Sequence, residues 1–323
     1  MQALAIAVFT LLMLPLPYLL HSDFQLNFVI MVLFAAYLGQ AWNVLGGYGG
    51  QFSFGHAAFF GTGAYATAVL QISFGVNPWA AMLGSALGGA LVGLVVGFLS
   101  FRYGLRGSYF ALVTLAFAEV LRLLANTFAV TGAGVGLLIP LRQSAGNFQF
   151  TERAGFFYVI LALTLLSLLI AFWLERSRFG AWLIAVRENE SAARALGVNA
   201  FRVKLTAITL SGTMAGIGGA FYAQMFLFID PPLAYGPAMS VEMLLVPIIG
   251  GMGTLFGPLL GAGVLHLVGE LAKSVTGKAV GLDLVLYGAL LVIMVLFLPN
   301  GLFGLARSVL RRLRRPAREG GDA

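Results

Sequence analysis

The stretch WAAMLGSALGGALVGLVVGFLSF, Trp79 to Phe101, decides the class of this protein. It carries no charged residue and exceeds the roughly 20 residues that a helix needs to cross a hydrocarbon core about 30 Å thick. Runs of the same kind recur from one end of the chain to the other, so no sizeable soluble domain remains. Of the 323 residues, 60% are hydrophobic and only 10% charged, where a soluble domain has about 25% charged residues. Lipid offers no hydrogen bonds to the backbone, and helices satisfy their own. The fold class is therefore an all-α polytopic membrane protein.

Working outward from Trp79, crossings are expected at about 2–20, 26–45, 52–72, 79–101, 107–127, 155–174, 205–226 and 282–298. The apolar region 238–270 is interrupted at IIGGMGTLFGP. It reads as a pair of short or broken crossings, or as one crossing and a re-entrant piece, which puts the count at eight to ten. The first run, MQALAIAVFTLLMLPLPYLL, lacks a basic leading segment and a small-x-small cleavage site, so it reads as a retained span. The transmembrane domain takes in 1–306, including a polar loop at 175–204, and 307–323 form a basic tail.

The net charge is +7, but the basic residues gather where helices leave the membrane. This distribution argues against nucleic acid and for membrane lipid beside the tail RSVLRRLRRPAR. With ten crossings, one side holds Arg102, Arg106, the six basic residues of 175–204 and the six of 307–318. The other holds Arg142, Arg153, Lys273 and Lys278, while Arg122 lies within a span. An excess of Lys and Arg marks the cytoplasmic side. The 175–204 loop and both termini are expected there, with 128–154 and the turn FIDPPLAYG outside. The absence of cysteine excludes disulfides and thiolate metal ligands.

The most charged interior segment is RENESAARALGVNAFRVKL, Arg187 to Leu205. FGAWLIAVR, 179–187, reads as an amphipathic lead-in, and Asn189 can cap a helix starting directly after it. Glu190, Ser191, Ala192, Ala193, Arg194, Ala195 and Leu196 then form a short helix that Gly197 stops. Such a helix is too short to stand alone. It either lies against its own bundle or docks into a groove on a soluble partner. In the second case the small and apolar residues would fill the groove, with Glu188, Glu190 and Arg194 at the rim. The chain shows no energy source of its own: no G-x-x-x-x-G-K-[ST] stretch occurs. AKSVTGKA at 272–279 lacks the first Gly and the final Ser/Thr of a phosphate cradle.

Four stretches together resemble a known family: GGYGGQFSFGHAAFFGTGAYATA (46–68), GLRGSYFALVTLAFAEVLRLLANT (104–127), RSRFGAWLIAVRENESAARALGVNAFRVKL (176–205) and EMLLVPIIGGMGTLFGPLLGA (242–262). The chain looks like the permease subunit of a branched-chain amino acid ABC importer of the LivM type. The resemblance implies a bacterial or archaeal inner or plasma membrane and an assembly with a second, non-identical permease. It also implies two cytoplasmic ATPases that bind ATP and Mg, and an external solute-binding protein. The docking role falls on Glu188 through Gly197, and the substrate would be leucine, isoleucine or valine. Urea, short amides or other amino acids are the alternatives within the class. No catalytic, cofactor or metal-ligating residue is expected in this chain, and it would not change its substrate covalently.

Polar groups inside the apolar runs are candidates for the translocation path or for packing. Gln51, Ser53 and His56 sit in a glycine-rich stretch, and Gly250, Gly251 and Gly253 mark a similar one later. Broken membrane helices are tolerated where they line a cavity or lie inside protein. No second histidine or carboxylate has metal-site spacing with His56, and packing is its simpler role. Glu119 and Arg122 share a helix face; pairing or an aqueous edge would relieve the cost of their charges. Gly84, Gly88, Gly89, Gly93 and Gly97, with Gly212, Gly216 and Ala220, form small-residue ridges suited to helix packing, within the chain or against a second permease. An ion-coupled carrier or channel is the rival transport class, and a structural scaffold the non-transport one.

Overall fold

Long apolar runs become long helices. The computed structural model describes residues 2–20 and 22–276, with isolated positions at 285, 288, 289, 292 and 302. The tail 307–323, His21 and Lys278 lie outside the described residues, as does nearly all of the expected crossing at 282–298. In chain order the helices are α1 (Gln2–Met13), α2 (Leu16–Leu19), α3 (Asp23–Asn43), α4 (His56–Phe74), α5 (Pro78–Arg102), α6 (Gly107–Thr127), α7 (Arg153–Arg176), α8 (Arg178–Glu188), α9 (Glu190–Ala195), α10 (Ala200–Phe226), α11 (Pro231–Tyr235), α12 (Pro237–Gly250) and α13 (Gly257–Thr276). A π-helical turn, Val44–Tyr48, extends α3.

Seven stretches among the described residues are long and apolar enough to cross a membrane: Gln2–Leu19, Asp23–Tyr48, His56–Phe74, Pro78–Arg102, Gly107–Thr127, Arg153–Arg176 and Pro231–Gly250. Helix α10 is not among these seven, although its 27 residues make it the longest helix among the described residues. At about 1.5 Å per residue it is long enough to span. Its composition is rich in Gly, Ser and Thr because it faces protein rather than lipid. It lies against α3, α4 and α5 and buries residues all round, among them Ala207, Ser211, Ala215, Gly219 and Phe221.

Small residues let these backbones touch. A methyl group on Gly89 would collide with the Gly212 carbonyl, and one on Gly63 with the Gly216 backbone. Gly93 approaches the Ile208 carbonyl, where a Cβ would lie 2.8 Å away. The ridge on α5 and the ridge on α10 therefore meet each other, within the chain. Hydroxyls fill the same seam: Ser85 Oγ donates to the Gly63 carbonyl at 2.6 Å, and Tyr37 OH to the Met214 carbonyl at 2.8 Å.

Three details go beyond the expectations. The first run keeps its crossing, Gln2–Leu19, but is broken at Pro15, since a proline inside a helix clashes with the turn before it; α1 ends at Met13 and α2 starts at Leu16. Helix α4 starts at His56 rather than near 52. Its approach is held from other helices: the Phe54 N–H donates to Thr114 Oγ1 (3.1 Å) and the Ala57 N–H to Ser240 Oγ (2.9 Å). The helical bundle also carries a small sheet, in which β1 (Leu137–Leu138) pairs antiparallel with β2 (Phe228–Ile229).

The loops sort to two ends. At one end 44–55, 102–106, 175–200 and 251–256 meet, joined by Tyr48 OH to Glu175 at 2.8 Å and by the Arg106–Glu190 ion pair at 3.4 Å. Gln2 Nε2 also reaches Glu175, at 2.6 Å, so α1 begins at this end. At the opposite end β1 meets β2, Asn77 Nδ2 donates to the Gly146 carbonyl (2.8 Å), and Arg153 reaches Asn27 (2.8 Å).

Candidate functional site

The polar insert lies at the first of these ends and is built from its caps inward. Ser177 Oγ accepts from the Gly180 N–H (3.0 Å) and starts α8 directly after α7. Helix α8 turns Leu183 and Val186 into the bundle. At Asn189 the backbone becomes extended, φ −155 and ψ 100. Its Oδ1 accepts from the Ala192 N–H (3.0 Å), a cap worth about 1 kcal/mol. Helix α9 ends where Gly197 takes a left-handed φ of 85°. The Val198 N–H then reaches back to the Ala193 carbonyl (3.0 Å), a hydrogen-bond pattern that glycine favours at a helix end.

Helix α9 has two faces. Ala193 is buried, while Ser191, Ala192, Arg194 and Ala195 are exposed and Leu196 is 86% exposed. Ala192 and Leu196 share an apolar edge that nothing among the described residues covers. Glu188 is exposed beside them, paired with Arg187 at 2.6 Å. Glu190 does not stand at the rim as expected. Its carboxylate turns inward and pairs with Lys204 (3.2 Å), Arg106 (3.4 Å) and Arg194 (2.5 Å). Lys204 is only 2% exposed and lies 4.9 Å from the Phe101 ring centre. Burial raises the Glu190 pKa, but Lys204 first, then Arg106 and Arg194, outweigh it and hold the carboxyl below its ordinary value. This network pins α9 to the start of α10 and to the α5–α6 loop.

Both helix breaks lie at the same end. Gln51 and Ser53 are in the first break, between the π-helical turn and α4; Gly251 and Gly253 are in the second, which comes after Gly250 at the end of α12. Gln51 Nε2 donates to the Gly49 carbonyl (3.2 Å). Asn43 ties the two breaks together: its Oδ1 accepts from the Gly253 N–H (2.8 Å) and its Nδ2 donates to the Thr254 carbonyl (3.2 Å).

His56 is fully buried, with Nδ1 3.0 Å from Ser53 Oγ and Nε2 2.8 Å from Ser211 Oγ. Ser211 donates to the Ala41 carbonyl (2.7 Å). This leaves Nε2 as the donor to Ser211 and Nδ1 as the acceptor from Ser53. The ring locks the first break against α10 and has no nitrogen free for a ligand.

Glu119 and Arg122 form a two-pronged pair (2.8 and 2.5 Å), with side chains 45% and 27% exposed. They occupy an edge of α6 whose neighbours Leu112, Val120 and Leu123 are exposed. The structure does not bring them near the insert.

Arg106, Arg187, Lys204, Asn43 and Ser211 are the residues that sequence reading did not single out. Each has a partner outside its own helical turn, at least 14 positions away, so local spacing does not reveal that contact. The one local signal was the basic residue opening the insert, Arg187.

A model of the family described as branched-chain amino acid transport system / permease component matches residues 24–295. The chain is 33% identical over 310 residues to the high-affinity branched-chain amino acid transport system permease protein LivM of Escherichia coli (strain K12), covering 88% of this chain and 71% of that protein. It is 26% identical over 279 residues to the probable branched-chain amino acid transport permease protein LivH of Methanocaldococcus jannaschii, covering 81% and 85%. It is also 29% identical over 220 residues to the L-arabinose ABC transporter permease protein AraH of Azospirillum brasilense, covering 66% and 62%.

Proposed function

This chain belongs to the family of branched-chain amino acid transport system permease components, and from that premise we propose that it is a LivM-type permease subunit importing leucine, isoleucine or valine. It is a membrane-embedded subunit of an ABC importer, not the catalytic one. The rest of the assembly is a second, non-identical permease, two cytoplasmic ATPases that hold ATP and Mg, and an external solute-binding protein. The insert end faces the cytoplasm of a bacterial or archaeal cell, and the β1–β2 end faces outside.

One observation carries the mechanism. Helix α9 presents the uncovered edge of Ala192 and Leu196 while its other face is fixed to the bundle by Ala193 and the Glu190 network. A six-residue helix held so firmly, with an apolar edge left open, is suited to seating in a groove on a soluble partner. Residues 188–197 dock on an ATPase. When ATP draws the two ATPases together, α9 moves and carries α8 and the start of α10 with it. The bundle then exchanges outside for inside access, and the loaded binding protein releases its substrate into it.

The substrate is the part that function must decide, since the AraH relative is named for L-arabinose. The test is uptake by the reconstituted complex against a panel of leucine, isoleucine, valine, urea and short amides. ATP-dependent accumulation of the three branched-chain amino acids is expected. Accumulation of urea alone overturns the substrate, and ATP-independent transport by this chain alone overturns the importer.

A further inference from the structure

Arg187 lies in the last turn of α8, just outside the docking segment, and its side chain, one-third exposed, reaches from the surface to the backbone of the bundle. Its Nη1 donates to the Gly47 carbonyl in the π-helical turn, at 2.8 Å. Its aliphatic stem passes over Gly50, where a Cβ would collide with Arg187 Cγ. A Cβ on Gly253, in the second break, would lie 3.0 Å from Arg187 Nη1. The guanidinium therefore sits in a cradle of bare backbone made by two helix breaks. Asn43 closes that cradle from behind through its bonds to Gly253 and Thr254.

The electrostatics suit a cation. The π-helical turn ends a long helix and Gly251 caps the end of α12, and helix C-termini attract positive charge. The other edge of the same guanidinium is engaged as well. Arg187 Nε and Nη2 donate to Glu188 Oε1 at 3.0 and 2.6 Å. A planar fork can hold two partners at once, which an ammonium cannot do in the same geometry. Glu188 is an exposed acid at the docking segment, and Gly47 is a backbone carbonyl inside the bundle. One side chain thus spans from the docking surface to both breaks.

We infer that Arg187 is the positioning residue that carries movement of the docked insert to the two helix breaks at once. This rests on the importer reading. When a partner engages Glu188, the fork is drawn on one edge and the Gly47 carbonyl on the other moves with it. Through Asn43 the Gly253–Thr254 segment is displaced too. The His56 lock and the α5–α10 seam offer no comparable exchangeable charged contact, so the movement enters the bundle at the breaks.

The chain has no cysteine, so a single Met252→Cys substitution places one reporter on the exposed residue of the second break. In the full reconstituted complex, thiol labelling of this position should change severalfold when a non-hydrolysable ATP analogue binds. In Arg187→Ala that response should vanish. Uptake per ATP hydrolysed should fall tenfold or more, with the ATPases still bound and hydrolysing. Arg187→Lys keeps the charge over Gly47 but loses the fork; it should fall between, and it carries the test if the alanine variant does not reach the membrane. An unchanged labelling response and an unchanged uptake-to-hydrolysis ratio in either variant overturn the inference. Loss of ATP-driven uptake in the unsubstituted complex overturns the importer reading instead.

Discussion

Helices meet in two opposite ways in this molecule. Along α4, α5 and α10 they meet backbone to backbone, through Gly63, Gly89, Gly93, Gly212 and Gly216, with only uncharged polar side chains such as Ser85, His56 and Gln224 between them. At the insert they meet through long charged side chains: Arg106, Arg187, Glu190 and Lys204. The glycine seam has no slack, because each contact is already closer than a methyl group allows. The insert is joined by directional bonds, which can be exchanged for others without unpacking a core. A seam of the first kind holds a bundle together; a joint of the second kind can transmit a movement into it.

The largest effect should come from breaking the seam. Gly89→Leu places a branched side chain against the Gly212 carbonyl and the Gly216 Cα. An overpacked core costs about 1–3 kcal/mol, but here two backbones must separate along their whole contact. Folded protein in membranes should fall to near zero, as read by detergent-resistant monomer on gel filtration. Wild-type amounts would show that the seam is loose.

A smaller effect should come from the joint. Glu190→Ala leaves Lys204 buried without its partner, and removing one side of a buried pair costs about 3–5 kcal/mol. The bundle should still fold, while protease cleavage at 190–197 rises. The same group sets a pH dependence. Because the folded-state pKa of Glu190 is depressed, its contribution is complete above the ordinary carboxylate range, about 4.3 for glutamate. It is lost as pH falls through the lower folded value. Protection of α9 should therefore be flat from about pH 8 to 5 and fail only below the ordinary carboxylate range. Glu190→Gln should remove that acid-dependent step. Protection lost near neutral pH would point to a different group.

Features written in local sequence were legible. The apolar run of α5, the Asn189 cap, the Gly197 stop and the break after Gly250 are all set by residues within one or two turns. The interruption at Pro15 was also local, and the sequence reading passed over it. What escaped depends on distant partners. The start of α4 at His56 is set by Thr114 and Ser240, and the β1–β2 pairing joins loops far apart in the chain. Glu190 looked like a rim residue because its neighbours are polar; Lys204, fourteen positions later, turns it inward. The low apolarity of α10 has the same origin, since its surroundings are other helices rather than lipid.

The central claim is that the open edge of α9 seats in a separate ATPase. Its most direct test is the affinity of the purified ATPase for membranes containing both permeases, with this chain carrying Ala192→Glu and Leu196→Asp together. Both side chains are exposed, so the amount of folded permease should not change. The account predicts at least tenfold weaker ATPase binding and loss of ATP-driven uptake. Full-affinity binding with normal uptake would contradict it.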